Sequence, residues 1–162
     1  MNGPTGLDTG FFLALSRGDP LALSIFQGPG ELVVSALSLY ELQKKLREAG
    51  NARWLEILDD LARSVRVVPV TAKTALSAGE LAREYGLPAG AAMILASFLE
   101  AGCETAYTAD KRLARAAPPG IEIIAMNLEA RPAGLPGGAG RAAPGDGPEA
   151  GSEAEPGAAD DA

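Results

Sequence analysis

ELVVSALSLYELQKKLREAG, residues 31–50, is a β-branched run that passes into an amphipathic helix with no loop between them. ELVVS has the chemistry of a strand, with Val33 and Val34 at its centre. In the helix that follows, starting from Ser35 or Ser38, Leu39, Leu42 and Leu46 recur on one stripe and Gly50 supplies the stop. The same strand-then-helix step recurs in both directions along the chain. Upstream, a short first strand runs into Asp8, GFFLALSRG reads as a helix or turn, and DPLALSIF offers an Asp cap with Pro at the first helical position.

Downstream, ARWLEILDDLARS places Trp54, Leu55, Leu58 and Leu61 at helical spacing, and VRVVPV is a strand. TAKTALSAGELAREYG begins with a Thr cap and ends at Gly86; PAGAAMILASFLEAG, starting at Pro88, is apolar nearly all round and is expected to be a central buried helix. CETAYTAD is a strand ending in Asp110, KRLARA a short basic helix and IEIIAMN a last strand. Strands separated by helices in this order predict an α/β fold whose parallel sheet is covered on both faces.

The chain has 162 residues, 47% hydrophobic and 22% charged, which suits one globular domain, and aromatics at 5% leave its core to Leu, Ala, Val and Ile. From Arg131 the composition turns to Gly, Pro, Ala and acids, with little to bury; residues 1–130 are expected to form the domain and 131–162 a disordered tail. The tail sets six acids against Arg131 and Arg141, a net −4 of the chain's −7, so the rest is close to neutral and has room for a local basic rim.

Histidine is absent, which excludes Ser/His and Cys/His triads and His-ligated zinc. Cys103 is alone, so no internal disulfide forms, and a small buried hydrophobe is its expected role. No basic leader precedes the amino-terminal apolar run, and no stretch approaches the roughly 18 apolar residues of a membrane span. A soluble, unprocessed cytoplasmic protein with no membrane association is the expectation.

Asp8, Glu41 and Asp110 each fall where a predicted strand gives way to a turn or helix. In a parallel sheet the carboxyl ends of the strands share one edge, where distant acids can meet around a hard cation. Each has an ordinary alternative: Asp8 and Asp110 suit N-caps, and Glu41 suits a capping box with Ser38. Three acids at three strand exits are less simply explained as three independent caps. The Asp-Thr-Gly run at Asp8 also occurs in aspartic proteases, but those need a largely β chain. Haloacid-dehalogenase phosphatases need a second Asp where Gly10 stands.

The runs LDTGFFLAL, VVSALSLYELQKKL, VTAKTALSAGELAREYGLP, AAMILASFLEAG and YTADKRLARA, in this order and spacing between about residues 5 and 125, resemble a PIN-domain protein, in particular the small VapC-type ribonuclease toxins. The resemblance implies a three-layer α/β/α sandwich with an acidic pocket for Mg2+ or Mn2+. It implies a metal-dependent endoribonuclease in which Asp8, Glu41 and Asp110 are the catalytic, metal-ligating acids and Thr108 positions an acid or water. RNA, an antitoxin protein and a second copy of the chain, as a homodimer, are the partners it implies.

In the family a further Asp usually precedes the Ala-x-Ile-x-Ala run; this chain has Ala91 there, so the acidic site is incomplete. Glu84, Asp59 and Asp60 are the acids considered as substitutes. Lys44, Lys45 and Arg47 follow Glu41, and Lys111, Arg112 and Arg115 follow Asp110; of these, Lys44, Lys45, Lys111 and Arg112 are the candidate RNA-phosphate contacts. The alternative to a ribonuclease is a catalytically inactive interaction or RNA-binding module with the same fold.

Overall fold

A computed structural model of the chain describes residues 3–127; the expected tail at 131–162 lies outside the described residues. Five short strands, β1 (Thr5–Leu7), β2 (Leu32–Ser35), β3 (Arg66–Val68), β4 (Thr105–Thr108) and β5 (Glu122–Ala125), form one sheet in the order β3-β2-β1-β4-β5. Every neighbouring pair is parallel. Helices α1 (Thr9–Ser16) and α2 (Pro20–Gln27) link β1 to β2, and α3 (Ala36–Glu48) and α4 (Ala52–Ser64) link β2 to β3. Helices α5 (Ala72–Tyr85) and α6 (Ala89–Glu100) carry the chain back across the sheet to β4, and α7 (Lys111–Arg115) leads to β5.

Sequence builds these elements locally. Asp19 caps α2 by accepting from the Ala22 N–H at 2.9 Å, with Pro20 at the first helical position. Thr71 and Thr74 form a reciprocal capping box on α5, which stops at Gly86 in the left-handed conformation, φ 65°. The two possible starts of α3 are resolved in favour of Ser35, whose Oγ accepts from the Leu37 N–H. Ser38 therefore lies inside the first turn, buried, with its Oγ unpartnered, and the Ser38–Glu41 capping box does not form.

Side chains alternate across the sheet, so adjacent strand residues enter opposite cores. Val33 and Ala106 join Leu95, Phe98 and Ala78 of α5 and α6 on one side. Leu7 and Val34 join Phe11, Phe12, Leu42, Leu46, Leu58 and Leu61 of α1, α3 and α4 on the other. Both faces are covered, as the sequence pattern predicts for parallel strands. Helix α6 buries Ala92, Ile94, Leu95, Ala96, Ser97 and Phe98 and is the buried helix expected from its composition.

Gly6 makes this packing possible on β1: a Cβ there would stand 2.8 Å from the Phe98 ring. Among the described residues no helix is long and apolar enough to cross a membrane. The order of the strands matters most for function. The chain steps outward from β1 to β3, then returns to place β4 on the other side of β1, so the connections reverse direction between β1 and β4. At such a switch point the loops diverge to opposite faces and leave a crevice beyond the carboxyl ends of the strands.

Candidate active site

Asp8 leaves β1 at this crevice and caps α1, its Oδ1 accepting from the Phe11 N–H at 3.1 Å. Its Oδ2 accepts from the Thr108 hydroxyl at the end of β4, and its own N–H donates to the Tyr107 carbonyl at 3.2 Å. Only 5% of Asp8 is exposed. Burial pushes its pKa up, against the opposing pull of hydrogen bonds from Thr108, Phe11, Gly10 and Ala109.

Thr108 is fully buried and works in both directions, because the Oγ that donates to Asp8 also accepts from the Asp110 N–H at 3.0 Å. Gly10 lets α1 approach this strand end, since a Cβ on it would overlap the Ala109 side chain. Asp110 caps α7, accepting from the Arg112 N–H at 2.8 Å and from Arg112 Nε and Nη2 at 3.3 Å each. Partial burial pushes Asp110 up, but the Arg112 guanidinium and the N–H groups of Arg112 and Leu113 outweigh it and hold the carboxyl below its ordinary value.

Glu41 approaches from the other wall. It stands in the second turn of α3, caps nothing, and its Oε2 accepts from the Thr9 hydroxyl at 2.6 Å. Opposite it, the amino-terminal turn of α6 offers Gly90, where a Cβ would lie 3.2 Å from Glu41 Oε1, and Ala91.

One cleft of about 580 Å³ is lined by Asp8, Glu41, Asp110 and Ala91 together. Lys44, Lys45 and Arg112 also line it; Lys111 is not among its lining residues. Among the described residues, however, no group of three or more His, Cys, Asp or Glu side chains is arranged to hold a metal ion. The hydrogen bonds give the physical reason: each carboxylate turns to its own donor, Thr108 and Phe11, Thr9, or Arg112, and α6 contributes a methyl group.

None of the substitute acids considered from sequence lines the cleft. Asp60 pairs with Arg63 at 2.7 Å on the surface, and Glu84 lines a separate groove between α5 and α6. The acid that sequence reasoning passed over is Glu48, which lines the cleft two turns beyond Glu41 and lies 4.0 Å from Lys44. Its i, i+7 spacing from Glu41 was the available signal. Thr9 was the other omission; a hydroxyl beside Asp8 carries no signal until α3 is known to pack against α1.

The donor set suits a hard divalent cation in kind, with the carboxylates of Asp8, Glu41, Glu48 and Asp110 and no imidazole or thiolate among the lining residues. At Ala91 the wall formed by α6 contributes a methyl group and no carboxylate.

A toxin–antitoxin complex from Klebsiella pneumoniae contains a chain similar to this one at 17% identity, over 74% of this chain and 95% of that one, with a TM-score of 0.62. VapC20 of Mycobacterium tuberculosis, described as a sarcin-ricin loop cleaving toxin, is similar at 23% identity over 68% and 92%, TM-score 0.58. DNA-bound VapBC from Salmonella typhimurium is similar at 18% identity over 77% and 98%, TM-score 0.61. At these identities the likeness is one of fold. A search of curated proteins finds no match. The PIN domain family model matches residues 7–118, most of the chain, and the chain therefore belongs to the PIN domain family.

Proposed function

We propose that this chain is a metal-dependent endoribonuclease of the VapC toxin type, hydrolysing RNA phosphodiester bonds with an incomplete acidic set. The observation that carries the reading is the single cleft at the switch point into which β1, β4 and α3 deliver Asp8, Asp110 and Glu41. Mg2+ or Mn2+, when bound, supplies Lewis-acid polarisation of the phosphate and a lowered pKa for the attacking water.

The residues divide the remaining work. Asp8 and Asp110, both fastened to Thr108, would hold the ion from the strand-end wall, where its charge would offset the burial that raises Asp8. Glu41, oriented by Thr9, would hold the ion from the helical wall, directly or through a bound water. Lys44, Lys45 and Arg112 bind the phosphates that flank the reacting one. No protein nucleophile is needed, in keeping with a chain that lacks histidine. The folded domain of residues 1–130 carries this activity. Similarity to chains from toxin–antitoxin and VapBC assemblies supports an antitoxin-type protein partner, with homodimerisation carried by analogy alone.

Purified protein incubated with structured RNAs and Mg2+ or Mn2+ tests the reading. Cleavage is expected above the level of an Asp8→Asn control; equal rates would refute it. A second reading has its own observation, the methyl of Ala91 facing the cleft where a further carboxylate would complete the set. On that reading the fold is an inactive interaction or RNA-binding module, and cleavage appears only when Ala91→Asp restores the acid.

A further inference from the structure

The cleft carries one side chain that neither the fold nor the proposed hydrolysis uses. Tyr40 is 64% exposed and lines the cleft together with Glu41 and Lys44. It lies off the Leu39, Leu42, Leu46 stripe that joins the core, so packing does not account for it. Among the described residues the other large exposed apolar side chains, Leu21, Leu23, Ile57, Val70 and Leu76, are not cleft-lining.

The remaining phenols and the indole are otherwise engaged. Tyr107 lies against Phe11, ring centroids 6.4 Å apart, Tyr85 packs on the α5–α6 core, and Trp54 packs on the opposite core. Tyr40 is thus the aromatic face that the described residues present to the cleft.

Tyr40 and Lys44 stand four residues apart on one face of α3 and are neighbours, with Lys45 beside them and Arg112 in the same lining. An aromatic ring set among cations is the arrangement that holds single-stranded nucleic acid, the base stacking on the ring while the phosphates meet the charges. A base inside a duplex already has both faces covered and has none to offer a side chain. Stacking strengthens with the area of the ring system, which favours a purine.

We propose that Tyr40 forms a stacking subsite for one unpaired base, a purine in preference to a pyrimidine, next to the scissile phosphate. The inference rests on the ribonuclease reading and adds a specificity-determining residue to it. The phenolic hydroxyl has no part in it.

A hairpin RNA with a short all-adenine loop tests it, together with variants in which each loop base in turn is abasic or uracil. Binding is followed by fluorescence anisotropy with EDTA present to stop hydrolysis, using the full chain and its Tyr40→Phe and Tyr40→Ala variants. Stacking on one aromatic side chain corresponds to a loss of about 5- to 150-fold in affinity for Tyr40→Ala. Tyr40→Phe is expected to bind as the parent does. One abasic position should abolish the difference between parent and Tyr40→Ala, and uracil there should narrow it.

An affinity unchanged in Tyr40→Ala, or a loss that persists at every abasic position, overturns the subsite and leaves the ribonuclease reading standing. Absence of any RNA binding by the parent chain also overturns the subsite, while the ribonuclease reading is decided separately by metal-dependent cleavage against the Asp8→Asn control.

Discussion

The two walls of the cleft are built to different standards. On the strand-end wall, Asp8, Thr108 and Asp110 form a continuous chain of hydrogen bonds that also caps two helices, so the positions of the acids are fixed by the fold itself. On the helical wall, Glu41 is held by the single hydroxyl of Thr9, and α6 faces it with Gly90 and Ala91. The first wall is thus held by bonds the fold needs in any case, while the acid on the second rests on one side-chain pair.

Within the first wall the two acids live under opposite electrostatics. Burial raises the pKa of Asp8, while Arg112 and backbone donors overcome partial burial to lower that of Asp110. A carboxyl raised in the folded state binds its proton more tightly than in the unfolded chain. It favours folding below the ordinary value of 3.8, and that contribution is lost as pH rises through the raised value. Asp110 has the opposite sign: its contribution is present above 3.8 and is lost as pH falls.

Asp8→Asn is the largest expected break. It should remove activity by more than the roughly 100-fold that loss of a supporting hydrogen bond to a metal ligand costs. Its melting temperature relative to the parent should nevertheless rise as pH is raised from acid towards neutrality, because the buried charge is gone. Thermal melts of both proteins across that range check the sign; a relative stability that falls with pH would contradict the assignment of burial as the cause.

Thr108→Val keeps the shape and removes the shared hydroxyl, leaving the Asp110 N–H and one Asp8 oxygen without a partner. The expected cost is roughly 1–3 kcal/mol by chemical denaturation, with activity lower by about 10- to 100-fold. Thr9→Val probes the weaker wall. It releases a partly buried pair and should cost about 1 kcal/mol or less, at the low end of the range for a net hydrogen bond. Its effect should fall on turnover more than on stability. If Thr9→Val proves as destabilising as Thr108→Val, the two walls are not built differently.

The sequence made the first wall legible and the second only in part. Elements with strong periodicity or explicit punctuation, such as α5 between Thr71 and Gly86 or the apolar α6, could be read directly, and their alternation with strands implied the parallel sheet. The switch point followed from no local signal, because strand order depends on which long-range pairings form. The start of α3 was ambiguous between Ser35 and Ser38, two hydroxyls with equal local claim; β2 running to Ser35 decides it. Asp8 and Asp110 carried their signal as caps at strand exits. Glu48 left a trace in its i, i+7 spacing from Glu41, whereas Thr9 and Tyr40 join the cleft through the packing of α3 beside α1, a tertiary fact that spacing does not carry.

The central claim is that this cleft grips a hard cation through carboxylates drawn from both walls. Calorimetric titration of the apo protein with Mn2+ tests it most directly, alongside Asp8→Asn, Glu41→Gln and Ala91→Asp. The account predicts saturable binding by the parent chain, lost in Asp8→Asn, weakened in Glu41→Gln and tightened in Ala91→Asp. Binding that is absent in the parent, or indifferent to all three substitutions, would contradict it.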